Sequence, residues 1–270
     1  MAIITLSRGS YSMGKLVAEK VAEELNYSIV SREVLLDASQ HFNIPEIKLE
    51  KAIHDAPGIL GRYSRKKQEY VAYIRSALLD KVKSDNIIYH GLAGHLLLKG
   101  IDHVLKIRIT ANMDTRVAYV MERDKMSPKD ARALIEADDK QRRKWTHDLY
   151  GEDPWNSALY DLTVCIDKLS IDDAVQFICQ AAKSEGFIST NKSLQKAKDL
   201  YVACHVKAGL VHDFPDVGVT CDFGNVLIYL KTGDHASTKL SKRLSRIKDN
   251  DADIHNIEVH AGIPIPPDAV

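Results

Sequence analysis

The stretch Ile4–Leu25, "ITLSRGSYSMGKLVAEKVAEEL", decides the reading of the chain. An apolar run is followed by a turn holding two glycines. Then come Val17, Val21 and Leu25 at the spacing of one helix face. Inside it, Gly9–Leu16 ("GSYSMGKL") follows the pattern G-x-x-x-x-G-K-[ST] up to the last position, where Leu16 replaces the hydroxyl residue. A glycine-rich turn between a strand and a helix aims backbone N–H groups and the positive end of the helix at one point. Its glycines let the backbone come close to whatever sits there. Such a point binds phosphate, and Lys15 is long enough to reach the outer oxygens. Gly9, Ser10, Tyr11, Ser12, Met13, Gly14, Lys15 and Leu16 are therefore the candidate nucleotide-binding residues. The plainer alternative is an ordinary strand-to-helix turn. Leu16 removes the oxygen that normally ligates Mg²⁺, which weakens ordinary metal placement without weakening phosphate binding.

Outward from this segment, residues 1–185 alternate short apolar runs with amphipathic helices, the pattern of a parallel sheet wrapped by helices. "AIITL", "YSIV", "NIIYHG", "HVLKIRITA" and "YDLTVCID" read as its strands. The expected fold class is α/β, a three-layer parallel sheet with helices on both faces, followed by a small α+β domain. A helix over "SPKDARALIEADDKQRRKW" is expected to give way to a loop, "THDLYGEDPW". Residues 186–193 are small and polar and read as a linker. From 194 to 270 the order is helix, two strands around Gly224-Asn225, helix, strand, and a proline-rich tail.

Composition excludes little but orders the options. Lys plus Arg and Asp plus Glu number 37 each, and 45% of the 270 residues are hydrophobic. The balance argues against a nucleic-acid or anionic-membrane partner, so anion binding must come from local clusters. The four cysteines, Cys165, Cys179, Cys204 and Cys221, form no zinc-type spacing and read as buried free thiols. No apolar run approaches the ~20 residues a membrane span requires, and a cytoplasmic location is expected.

Phosphoryl transfer needs cations around the moving group. Arg116 and Arg123 fall on one expected helix, and Lys140, Arg142, Arg143 and Lys144 cluster before the expected loop, as in a lid that closes over phosphates. A solvated helix face is the simpler account of the same residues. His90 and His95 read as structural, and Trp145 and Trp155 as packing anchors. The basic segment Arg62–Tyr70 reads as a solvated helix start.

The segments "ITLSRGSYSMGKLVAEKVAEELNYSIVSREVL" and "DKQRRKWTHDLYGEDPW…YDLTVCIDKLSIDDAVQFI" resemble the cytidylate-kinase-like branch of the nucleoside monophosphate kinases, over about residues 1–185. The resemblance implies a P-loop fold, ATP or another NTP as donor, Mg²⁺, and a small phosphate acceptor such as a nucleoside monophosphate. By position it puts Gly9–Lys15 on the donor phosphates and Lys15, Arg116, Arg123, Arg142 and Arg143 at the transferring group, with Asp139 orienting the lid. Arg32 and Arg65 become acceptor-binding candidates. Residues 194–262 are similar to BON domains, which implies binding of a small ligand or a protein and adds no catalytic group. A catalytically silent nucleotide sensor is the second reading, an adaptor with a vestigial loop the third, and a homo-oligomer is left open.

Overall fold

The computed structural model describes residues 2–31, 33–54, 62–231 and 238–270. In chain order the elements are β1 (Ile3–Arg8), α1 (Gly14–Leu25), β2 (Ser28–Val30), α2 (Glu33–Phe42), α3 (Glu46–His54), α4 (Arg62–Val82), β3 (Ile87–Tyr89) and the short α5 (Gly94–Leu97). β4 (Val104–Ala111), α6 (Met113–Asp124), α7 (Pro128–Tyr150), β5 (Leu162–Ile166) and α8 (Ile171–Ala182) follow. The chain ends with α9 (Asn191–Leu210), β6 (Gly218–Asp222), β7 (Asn225–Leu230), α10 (Thr238–Asn250) and β8 (Asn256–Ala261). The described residues gather into two compact units. The first draws on Met1–Val34, Glu50–Gly58 and Ser84–Ser189, the second on Leu35–Leu49, Ile59–Lys83 and Thr190–Val270.

The first unit is built on a five-stranded parallel sheet in the order β2-β3-β1-β4-β5. β1 is apolar on both faces apart from Thr5, Ser7 and the terminal Arg8, because helices cover the sheet on both sides. On one face Ile4, Leu6, Leu105, Ile107, Ile109 and Val164 pack against Val17 and Val21 of α1 and Ala174, Ile178 and Cys179 of α8. α5 meets β1 and β4 on the other. Ser170 and Asp173 cap α8 reciprocally, as the sequence spacing predicts.

One boundary differs from the sequence expectation. α7 does not stop at Trp145 but runs on through "THDLY" to Tyr150, ending at Gly151 with φ 67°. Thr146 Oγ1 donates to the Arg142 carbonyl within the helix, so its hydroxyl gives the backbone no alternative to helix. The basic cluster Lys140–Lys144 is thus mid-helix, and the loop that follows is short.

The second unit packs α4 against α9, and α9 against β6. Phe42 stacks on Tyr73 with ring centroids 4.1 Å apart, above Ala208 and Val211. α9 is capped reciprocally by Thr190 and Ser193. β6 and β7 form the expected hairpin, with β8 added parallel to β7. Its turn falls on Phe223 and Gly224, one residue earlier than read, because Asp222 pairs with Asn225. Lys239 and Arg243 of α10 both engage the buried carboxylate of Asp213, at 2.8 and 3.2 Å, so part of this helix's basic face is spent within the unit. Cys165 is exposed, against expectation, because its side of β5 is uncovered; Cys179 and Cys204 are buried, and all four thiols are free. Among the described residues no helix is long and apolar enough to cross a membrane.

Candidate functional site

The segment between β1 and α1 is held open as a cradle by its own backbone. Gly9 N–H donates to the Ile109 carbonyl of β4 at 2.9 Å, and Ser12 Oγ donates to the carbonyls of Gly9 and Ile109, both at 3.0 Å. Tyr11 and Met13 take left-handed φ values of 59° and 61°. Met13 is the N-cap of α1 and gives it no side-chain cap, which leaves the first N–H groups of that helix for a ligand. Ser10 Oγ is buried with no hydrogen-bond partner among the described residues. Lys15 is largely exposed, 3.6 Å from Glu19, and Leu16 is 43% exposed beside it.

On the β4 side of the cradle the structure brings Arg116 and Asp139 together. Asp139 Oδ1 accepts the Ser10 N–H at 3.1 Å, while its Oδ2 takes Arg116 Nη1 at 2.7 Å. Arg116, buried, also donates to the Ser10 carbonyl at 3.2 Å. Tyr11 Oη donates to Asp138 at 2.8 Å, and the Arg123 guanidinium covers the Tyr11 ring at 4.8 Å. Burial and Asp138 together raise the Tyr11 phenol above its ordinary value. Arg123 itself pairs with the adjacent Asp124, and Arg143 points to the loop after α7, where its Nε meets both oxygens of Asp153 at 3.1 Å.

On the β3 side Arg8 and Arg108, which the sequence reading did not single out, stand with His90, His95 and Arg142. Arg8 ends β1, and its stem passes Gly14 so closely that a Cβ there would lie 2.9 Å from Arg8 Cβ. Its guanidinium lies against the His90 ring, 3.3 Å from Nδ1 and closer to Nε2. Burial first, and then Arg142, pull the Arg8 pKa down to about 10. Burial followed by the charges of Arg8, Lys15 and Arg142 pushes His90 down to about 3, so its imidazole is neutral. Arg142 is lowered too, by burial foremost. Arg108, buried on β4 beside Ser7, donates to Tyr160 Oη at 3.4 Å and lies 5.2 Å from the Trp155 ring centroid. His95 bridges Ser7 Oγ at 2.9 Å and Tyr160 Oη at 3.4 Å, and burial with Arg108 holds it down to about 4. The available signal was a charged residue in a mostly apolar strand, at Arg8 and, with Lys106 in the same strand, at Arg108.

Arg32 lies outside the described residues, as does the side chain of Arg65. The cradle suits an anion: the N-terminus of α1 carries no side-chain cap, and Lys15 stands in its first turn. It does not suit a protein-held metal in the same way. Leu16 brings no ligating atom, and among the described residues no group of three His, Cys, Asp or Glu side chains is placed to hold an ion.

The sheet order, with its glycine-containing cradle between the first strand and first helix, defines a P-loop kinase-like α/β protein. Residues 3–168 match the model of the cytidylate kinase-like family, and the chain belongs to that family. Among curated proteins it is 27% identical over 186 residues to a cytidylate kinase of Pyrobaculum islandicum, covering 66% of this chain and 94% of that one. Among solved structures, an uncharacterized protein from Eubacterium ventriosum superposes with a TM-score of 0.53 at 21% identity, over 68% of this chain and all (100%) of that one, and shares the fold. A shikimate kinase from Bacteroides thetaiotaomicron gives 0.43 at 10% identity, over 68% of this chain and 99% of its own.

Proposed function

We propose that the protein transfers the γ-phosphoryl group of ATP, or another NTP, to a small acceptor such as a nucleoside monophosphate. The observation that carries this reading is that two sets of groups lie near the carboxyl ends of β1, β3 and β4, close enough for their charges to act on one another. One set is the uncapped N-terminus of α1 with Lys15; the other is the cations Arg8, Arg108 and Arg142. Phosphoryl transfer spreads charge over the equatorial oxygens of the moving group, and fixed cations in a partly dry site stabilise it most. The named relative, a cytidylate kinase, makes cytidine monophosphate the first acceptor to try.

In this reading the cradle Gly9–Lys15 holds the donor phosphates, and Lys15, free to swing from Glu19, reaches the outer ones. Arg116 and Asp139 shape the cradle from the β4 side and Arg123 flanks it from α6 over the Tyr11 ring, whereas Arg143 is engaged by Asp153 after α7. Mg²⁺ supplies charge neutralisation when it arrives on the nucleotide phosphates, with no hydroxyl from position 16 to place it. The alternative, a nucleotide sensor without turnover, draws on two observations: Leu16 lacks that oxygen, and Asp139 already occupies a cradle N–H. The module of residues 194–270 serves as a ligand- or partner-binding unit. A cavity of about 500 Å³ within the second unit, lined by His41, Tyr201 and His205 beside Asp37 and Asp80, offers room for a small ligand.

The deciding measurement is ADP release from ATP and Mg²⁺ across nucleoside monophosphates and small hydroxyl acceptors, with Lys15→Ala as control. Acceptor-dependent ADP that Lys15→Ala abolishes supports transfer. Saturable ATP binding without acceptor-dependent ADP sinks it in favour of the sensor.

A further inference from the structure

The β6-β7-β8 sheet of the second unit ends in two edges that the chain treats differently. An open edge is a row of unpaired N–H and C=O groups, and proteins cover or blunt such rows. The chain's own C-terminus covers β6: Val270 N–H donates to the Val219 carbonyl at 3.0 Å, and Val219 N–H to the Val270 carbonyl at 3.4 Å. β8 has no strand on its outer side among the described residues, and it holds no proline, lysine or bulge to discourage one. Asn256 N–H aims at the Gly224 carbonyl and Gly262 N–H at the Leu230 carbonyl, at 3.3 and 3.0 Å, so the even-numbered residues bond toward β7. Ile257, Val259 and Ala261 therefore turn their N–H and C=O groups outward. Val259 is in register with Ile228, and Ile228 with Val219, both fully buried, which puts the odd-numbered side chains on the apolar face. Ile257 and Val259 are only half-buried there. Glu258 and His260 share the opposite face, 3.5 Å apart.

We propose that the protein forms a two-fold dimer in which β8 of one copy pairs antiparallel with β8 of a second, centred on Val259. Outward-facing residues must meet outward-facing residues, so only odd-numbered positions pair through hydrogen bonds. Centring on Val259 sets Val259 against its own copy and Ile257 against Ala261, and it uses the whole strand. Glu258 then falls opposite His260 of the second copy, twice by symmetry, at the positions where facing side chains lie closest. A carboxylate there meets an imidazole that can donate to it. Either neighbouring two-fold register sets Glu258 against Glu258 or His260 against His260, and like groups opposed in this way disfavour it. On the other face the half-buried Ile257 and Val259 gain apolar neighbours from the second copy. The strand is thus self-complementary in backbone, charge and apolar surface. With the β6 edge already taken by Val270, pairing closes at two chains.

The experiment is sedimentation velocity of the intact protein across a concentration series, in wild type, Val259→Pro, Glu258→Lys, and Glu258→Lys combined with His260→Glu. Wild type is expected to run as a dimer that dissociates on dilution. Val259→Pro removes the N–H of both central hydrogen bonds, from a position where the single chain turns it outward. It is expected to weaken dimerisation by roughly tenfold or more. Glu258→Lys opposes a cation to His260 and is expected to weaken it as well. The double variant again sets opposite charges across the pair and is expected to recover the wild-type constant to within about threefold. Should Val259→Pro not fold, by circular dichroism, the two charge variants, altered at exposed Glu258 and half-exposed His260, carry the comparison. A wild type that stays monomeric at every concentration overturns the proposal, as do particles of more than two chains. A dimer indifferent to Val259→Pro and Glu258→Lys places the contact elsewhere and overturns it too. A double variant no tighter than Glu258→Lys alone overturns the register centred on Val259.

Discussion

Asp139 joins Arg116 to the β1–α1 cradle: one of its oxygens takes the Arg116 guanidinium at 2.7 Å and the other takes the Ser10 N–H at 3.1 Å. The Arg116 side chain is buried and that of Asp139 nearly so, with 7% and 13% of their surface exposed. Breaking such a pair leaves an uncompensated charge indoors. Asp139→Ala is therefore expected to cost about 3 kcal/mol of stability, measured by urea unfolding. It also frees a cradle N–H and removes a negative charge next to it, so inorganic pyrophosphate should bind more tightly once the protein is held folded at low temperature. A variant as stable as wild type would show that the bridge does not hold the loop.

Gly14 is required by Arg8 rather than by its own backbone angles. An added Cβ would meet Arg8 Cβ at 2.9 Å, Arg8 Cδ at 3.1 Å and Leu6 Cδ2 at 3.3 Å. Gly14→Ala must push the Arg8 stem aside, at a cost of about 1–3 kcal/mol for overpacking. The same displacement should slow acceptor-dependent ADP release, because Arg8 is one of the cations of the proposed site. Release equal to wild type would show that the Arg8 head holds its place without its stem.

How much of this could be read beforehand differs by region. The β1–α1 segment was legible because an apolar strand, two glycines and the Val17/Val21 face are local signals, and local signals survive any tertiary arrangement. The parallel sheet was legible in outline, but its order, β2-β3-β1-β4-β5, was not, since strand neighbours are set by contacts far apart in sequence. The end of α7 was misread because "THDLYGEDPW" has loop composition, yet a helix already propagating stops at Gly151 and not before. Arg8 and His90 were invisible as a pair: 82 residues separate them, and only the pairing of β1 with β3 brings them together.

Leu16 stands 43% exposed at the position where the loop pattern calls for a hydroxyl. Leu16→Thr removes little buried surface, so stability should stay within about 1 kcal/mol of wild type. The new oxygen should lower the Mg²⁺ concentration needed for half-maximal ATP binding, read by titrating the metal at fixed nucleotide. An unchanged Mg²⁺ dependence would mean that the cradle does not bring the nucleotide phosphates to residue 16.

His95 and His90 are both held neutral in the fold, down to about 4 and about 3, foremost by burial. In the unfolded chain each takes up a proton near 6.5. Between those limits the unfolded state binds more protons than the native one, so stability falls as pH falls. It should be independent of these groups above about pH 6.5 and decline from there to about 4. His95→Gln keeps a polar contact for Ser7 and should flatten the slope by about one proton, measured as urea midpoints across that window. An unchanged slope would place the acid sensitivity elsewhere.

The hairpin turn at Phe223 and Gly224 gives the second unit its own test. Both residues have left-handed φ, 46° and 75°, as a two-residue turn of type I′ demands. Gly224 answers that demand and also leaves room for the Asp253 carbonyl, which an added Cβ would approach to 2.5 Å. Phe223 does neither: its ring is 63% exposed, and an aromatic residue in this conformation is strained. Phe223→Asn should therefore stabilise the protein by about 0.5–1 kcal/mol, because asparagine tolerates the left-handed region that phenylalanine resists. Loss of stability instead, in thermal unfolding, would mean that the ring contributes packing that outweighs the strain of its backbone.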